Sequence, residues 1–228
     1  MQEQRALAVI IPTLNEAANL GRLLAGLAGV AAVREVIVAD GGSSDATVAV
    51  AVSGGARVVI AARGRGAQLA AGAVAATGDW LLFLHADCRP EVGWAAAVDA
   101  FVTAPEAAAR AGYFDFMLDD AAPPARRVER LVAWRCRVLA LPYGDQGLLI
   151  ARSLYDAVGG FTALPLMEDV DLVRRLGRRR LARIGTRLEI SARRYRRDGY
   201  WRRPMRNLAC LALHFAGVPP TAISRLYG

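Results

Sequence analysis

The sequence predicts an α/β fold: a doubly wound, mainly parallel sheet flanked by helices, in a single domain with a basic helical extension at its C-terminus. Two observations carry this. Four short runs, 8–11, 36–39, 58–61 and 80–84, are apolar throughout and do not alternate, as parallel strands buried on both faces do not. The stretches between them, about 17–29, 44–53 and 66–77, are rich in alanine and have helical length. Strand–helix–strand repetition of this kind builds right-handed βαβ crossovers and hence a parallel sheet.

The remaining elements follow in order. Residues 91–102 read as a fourth helix and 112–117 as a further strand. Beyond Met117 the pattern loosens: 123–141 reads as a helix with arginines on one face, 148–150 as a short strand and 169–176 as the start of a helix. Met205, Leu208, Ala212 and Phe215 recur at helical spacing, which predicts an amphipathic C-terminal helix. The expected limits are a domain over 1–190 and a basic extension of it over 191–228. With 228 residues, 54% of them hydrophobic, the chain is long enough to bury a core without disulfides or a structural metal. The apolar run 6–11 is short and leads straight into Pro12, so no signal peptide is expected. The longest C-terminal apolar run, 208–218, falls short of the ~20 residues a bilayer requires.

Composition narrows the chemistry. All 29 basic residues are arginine, which excludes Schiff-base enzymes, lysine general bases and the usual P-loop ATPases. Two histidines, His85 and His214, rule out multi-histidine zinc sites. Three scattered cysteines, Cys88, Cys136 and Cys210, form no disulfide framework and fit a reducing cytoplasm. Charge is uneven. Residues 1–171 hold 14 arginines against 19 acids, whereas 172–228 hold 15 against two. A basic end on an acidic body points to an anionic partner: a membrane surface, nucleic acid or a phosphorylated substrate.

In an open parallel sheet, ligands bind beyond the carboxyl ends of the strands, and here each of the first four strands ends in polar groups. The first is followed by Thr13, Asn15 and Glu16. The second ends in Asp40-Gly41-Gly42-Ser43-Ser44-Asp45, the third leads to Arg63-Gly64-Arg65-Gly66, and the fourth ends in His85-Ala86-Asp87. Carboxylates, small hydroxyls and glycines suit ribose, base edges and a hard cation; paired arginines suit phosphate oxygens. Together they point to a nucleotide diphosphate with Mg²⁺ or Mn²⁺.

Pro12-Thr13-Leu14-Asn15-Glu16 followed by Asp40-Gly41-Gly42-Ser43-Ser44-Asp45-Ala46-Thr47 resembles the opening of family 2 glycosyltransferases, which have the GT-A fold. Leu84-His85-Ala86-Asp87 looks like a variant of their DxD metal motif, and Met167-Glu168-Asp169-Val170-Asp171-Leu172 resembles the acidic motif that carries their catalytic base. The resemblance runs over about residues 8–176, and the Arg63–Gln68 stretch with the His-Ala-Asp form resembles a small bacterial branch. It implies an inverting transferase that moves a sugar from a nucleotide-diphospho-sugar, UDP favoured, to an acceptor hydroxyl. Pro12, Thr13, Asn15, Glu16, Asp40, Gly41, Gly42 and Ser43 would then bind the nucleotide, Asp40 through a base N–H. Arg63, Arg65, Gln68, His85 and Ala86 would join them in binding the nucleotide, with Arg63 and Arg65 at the nucleotide or its phosphates and His85 at ribose or phosphate. Asp87 would hold the metal. Asp169 would take the acceptor proton, with Glu168 and Asp171 as rivals beside it.

Histidine stands where the usual motif has its first acid, and it ligates Mg²⁺ poorly, so metal binding would rest on Asp87 with phosphate oxygens and water. Asp145 and Gln146, before the strand at 148–150, are acceptor-site candidates. The tail interleaves arginine with aromatics, as in Arg193-Arg194-Tyr195-Arg196-Arg197 and Tyr200-Trp201-Arg202-Arg203. Such a segment suits an anionic membrane with a lipid-linked acceptor, a peripheral site at the inner face of the membrane. A helix packed on the domain or on the second subunit of a homodimer is the alternative, and nucleic acid a weaker one. Among other functions, a dinucleotide oxidoreductase is disfavoured because Leu69 stands where a third glycine is needed. A nucleotidyltransferase is disfavoured by the absence of lysine. A non-catalytic nucleotide-sugar-binding protein on the same fold is the principal alternative.

Overall fold

The computed structural model describes residues 6–227, with side chains through residue 223. Strand β1 (Leu7–Thr13) is buried at every position. Helix α1 (Ala17–Leu27) presses Leu20, Leu23, Leu24 and Leu27 onto the sheet, and β2 (Val33–Asp40) runs beside β1 in parallel, with Thr13 opposite Asp40. Helix α2 (Thr47–Ser53) starts later than the composition predicts, because the Asp45 carboxylate accepts from Thr47 N at 3.0 Å and holds 45–47 as a turn. Strand β3 (Arg57–Ile60) departs from the expectation of a strand covered on both faces. It forms one edge of the sheet, where Ile60 is 69% exposed.

Helix α3 (Arg65–Ala75), the fully buried strand β4 (Trp80–Phe83), and helix α4 (Trp94–Thr103) follow. Helix α4 starts three residues late because Gly93 adopts a left-handed φ of 88° ahead of it. The short β5 (Cys88–Pro90), between β4 and α4, was not expected. Next come β6 (Ala111–Leu118), α5 (Pro123–Leu139), β7 (Leu148–Ala151) and the short α6 (Arg152–Ala157). Helix α7 (Glu168–Leu176), β8 (Leu181–Ile190), α8 (Arg193–Asp198), α9 (Arg202–Phe215) and α10 (Pro220–Tyr227) complete the order. Strand β8 escaped the sequence reading although Ile184, Thr186, Leu188 and Ile190 alternate inward; the exposed arginines and glycine between them mask the period of two.

Among the described residues the strands make one eight-stranded sheet, ordered β3-β2-β1-β4-β7-β6-β8-β5. Only β7 and β5 run against the others, so the mainly parallel α/β architecture stands. The sheet curls enough for β5, at one edge, to approach α1. Direction decides what reaches the functional edge. The carboxyl ends of β1, β2, β4, β6 and β8 lie there, and because β7 is reversed, the turn that precedes it lies there too. The chain leaving β8 therefore starts its C-terminal helices at the same edge. Tyr195 joins the main core, while Cys210, Leu211 and Ile223 form a second apolar cluster with Leu141, Leu166, Met167, Val170 and Val173.

Candidate active site

The loop after β2 is organised by its own acid. Asp40, 1% exposed, accepts from Thr13 Oγ1 (3.0 Å) and Ser43 Oγ (2.5 Å) on one oxygen. Its other oxygen accepts from Gly42 N (2.9 Å) and Ser43 N (2.8 Å). Burial pushes this carboxyl up, but the hydrogen bonds from Ser43, Thr13 and Gly42 outweigh it and lower its pKa. A base N–H would have to share an acceptor already engaged four times. Gln68 is committed likewise: its Nε2 donates to Thr13 O at 2.5 Å and Ala39 O at 3.0 Å, tying the ends of β1 and β2 together. A Cβ on Gly41 would lie 3.0 Å from that same amide, so this glycine is required by close approach. Asn15 adopts a left-handed φ of 55° and its Oδ1 accepts from Ser44 N at 2.8 Å, while Glu16 accepts from Asn19 at 2.7 Å.

The glycine–arginine stretch works differently from a phosphate loop alone. Arg65 opens α3 and its Nε meets Glu168 Oε1, at the start of α7, at 2.6 Å. Glu168 is 1% exposed, and burial, with the charge of Asp169, outweighs Arg65 to raise its pKa. The loop before α7 approaches α3 so closely that a Cβ on Gly66 would lie 2.1 Å from Thr162 O. Arg63 stays exposed and lines none of the cavities at this edge.

The two acidic motifs meet around a cavity of about 80 Å³ whose walls include Arg65, His85, Asp87, Asp145 and Asp169. Asp169 Oδ2 accepts from Gly144 N at 2.7 Å and its Oδ1 from Val170 N at 2.7 Å, which fixes the carboxylate at the cavity wall. Gly144, in the turn before β7, sits where a Cβ would lie 3.0 Å from His85 Nε2 and 3.3 Å from Asp169 Oδ2. Burial, aided by the nearby charge of Arg65, holds the His85 pKa down at about 4, so its imidazole is neutral near pH 7. Asp145 is raised, first by burial and then by Asp169 and Asp87, against the opposing pull of Arg135.

Of the rival acids, Asp171 is held by Arg175 at 2.7 Å and lines none of these cavities. Gln146 lies outside this cavity and lines a separate one with Arg126, Arg130 and Arg183. It is 2% exposed, with Oε1 accepting from Arg135 (2.8 Å) and Nε2 donating to Phe114 O (3.1 Å). Pro12, Thr13, Gly41, Gly42, Ser43 and Ala86 lie at the same edge but outside this cavity. Residues outside the domain's motifs complete it: Tyr143, Ile190, Ser191, Arg194, Tyr195, Arg203 and Asn207. Five of these seven come from the 191–228 tail.

That tail is not a loose basic surface. Arg196 pairs with Asp119 and Asp120, while Arg197, Arg203 and Arg206 all reach Asp198. Arg203 also lies over the Tyr195 ring, 5.3 Å from its centroid. Among the described residues, no helix is long and apolar enough to cross a membrane.

The family model described as Glycosyl transferase family 2 matches the segment that holds the Asp40 loop, α3 and Asp87, residues 8–114. The chain is similar in fold to glucosyl-3-phosphoglycerate synthase from Mycobacterium tuberculosis crystallised with Mn²⁺, UDP-glucose and phosphoglyceric acid. That likeness has 23% identity, covers 94% of this chain and 81% of the other, and has a TM-score of 0.61. A second structure of that enzyme, with Mn²⁺, UDP-glucose and glycerol 3-phosphate, matches at 25% identity over 80% of this chain and 71% of the other, TM-score 0.55. A mycobacterial protein of unstated activity matches at 22% identity over 82% and 65%, TM-score 0.58. No curated protein matches the chain. The chain therefore has the α/β fold of these neighbours.

Proposed function

We propose that this glycosyltransferase moves a sugar from a UDP-sugar to an acceptor hydroxyl with inversion at the anomeric carbon, the 1–190 domain working together with its 191–228 extension. One observation carries the reading: a half-buried carboxylate, Asp169, is pinned at the wall of the cavity that Asp87 also lines. Similar folds that bind UDP and UDP-glucose support the donor class. A displacement needs a base on the face opposite the leaving group. Asp169 accepts the acceptor proton there as the hydroxyl attacks, and Gly144 N–H keeps that oxygen aimed. Neutral His85 and the arginine Arg65 face the departing diphosphate.

The donor set fits a divalent cation only in part. Among the described residues no three ligating side chains converge, so Asp87 would hold a cation jointly with diphosphate oxygens and water. Such a cation, Mg²⁺ or Mn²⁺, would neutralise charge on the leaving diphosphate. Asp169→Asn tests the assignment. Transfer is expected to fall by at least about 10³-fold with UDP affinity within twofold, and a variant retaining half of wild-type turnover would refute it.

A further inference from the structure

Two buried oxygens at the cavity have no hydrogen-bond partner: Asp145 Oδ1 and Asn207 Oδ1. Buried polar atoms are nearly always satisfied in folded proteins, and these two are acceptors, so the missing partners are donors. They reach the cavity from two different elements, Asp145 from the turn before β7 and Asn207 from α9. Asn207 is rigidly placed. It shares the inward face of α9 with Arg203, Cys210 and Leu211, all buried, at the spacing that puts helix residues on one side. Cys210 and Leu211 anchor that face in the second apolar cluster.

The place of these acceptors identifies their ligand. In a displacement at an anomeric carbon the sugar ring lies between the leaving diphosphate and the attacking hydroxyl. The cavity between Asp87, on the diphosphate side, and Asp169, the base, is therefore where the ring sits. Ring hydroxyls are the donors that carboxylate and amide oxygens accept from. We infer that Asp145 and Asn207 read hydroxyls of the sugar being transferred, so that the C-terminal helix, outside the matched family segment, is a specificity wall of the donor pocket. The inference rests on the transferase reading above.

Calorimetric titration of the full chain separates the two. UDP, UDP-glucose, UDP-galactose and UDP-N-acetylglucosamine are each titrated with Mn²⁺ into wild type, Asn207→Ala and Asn207→Asp. The best-bound UDP-sugar is expected to lose about tenfold in affinity relative to UDP in Asn207→Ala, and Asn207→Asp, which keeps an acceptor oxygen, recovers most of that ratio. UDP binding within twofold of wild type shows that the variant pocket is folded. An unchanged ratio in Asn207→Ala, or a wild type that binds UDP and every UDP-sugar alike, overturns the inference and leaves the transferase reading intact. A wild type that binds none of the four ligands overturns that reading and the inference with it.

Discussion

Replacing Arg65 with alanine tests whether the glycine–arginine stretch is structural as well as ligand-binding. The Arg65–Glu168 pair joins the starts of α3 and α7, with Glu168 at 1% and the Arg65 side chain at 33% exposure. The substitution leaves a buried carboxylate whose second oxygen, Oε2, already lacks a partner. Breaking a fully buried pair costs ~3–5 kcal/mol. Partial solvation of Arg65 brings the expected loss to about 2–3 kcal/mol, or roughly 5–10 °C in Tm for a chain of this length. The effect carries a pH signature. Folding raises the Glu168 pKa above its ordinary 4.5, and removing Arg65 raises it further. A carboxyl raised in this way contributes fully below its unfolded pKa and loses that contribution as pH rises through the folded value. The deficit of Arg65→Ala is thus small below about pH 4.5 and grows toward neutrality. Urea denaturation across that range measures it, with Glu168→Gln closing a double-mutant cycle. A deficit that is flat with pH, or a coupling below about 0.5 kcal/mol, refutes the assignment.

Two further outcomes follow from the same geometry. Gly144→Ala places a methyl 3.0 Å from His85 Nε2 and 3.3 Å from Asp169 Oδ2. It is expected to lower kcat by about 10–10² through displacement of the Asp169 carboxylate, the proposed base, while costing at most about 1–3 kcal/mol in stability by overpacking; steady-state kinetics beside a melting curve checks both. Asp120 fastens the tail, accepting from Tyr200 Oη, Ala122 N and Arg196, and these hydrogen bonds, Tyr200's first, lower its pKa to about 2. A lowered carboxyl stabilises above its unfolded pKa, here 3.8, and loses that contribution as pH falls toward 2. Hydrogen exchange over residues 193–206 is expected to speed up across that window in wild type and to be already fast in Asp120→Asn at neutral pH.

The fold was largely legible because buried parallel strands announce themselves by unbroken apolar runs, and β1, β2, β4 and β7 lie within a few residues of where the sequence places them. Strand β8 was hidden by arginines at its outward positions, β5 by its length of three residues, and the edge position of β3 is set by pairing that no local pattern encodes. The acids of the candidate site were visible in the sequence as well. Asp87 and Asp169 stand in recognisable motifs, and they do face one cavity.

What each motif residue does there was decided by packing. Asp40 and Gln68 have side chains that suit a nucleotide, yet their atoms are engaged in fastening the loop after β2 and the ends of β1 and β2. Gly66 belongs to a glycine–arginine stretch, but its lack of a side chain serves the contact with Thr162. The tail shows the division most plainly. Its arginines and aromatics read as a surface segment because sequence records composition and period, not destination. Strand β8 ends at the carboxyl edge of the sheet, so the helices after it start at the pocket, and α9 carries Asn207 to its wall while Asp119 and Asp120 of the body bind Arg196. Local order and chemical identity are properties of neighbouring residues along the chain and were readable from it. The meeting of residue 207 with residues 87, 145 and 169 depends on strand direction and sheet order, which only the folded chain possesses.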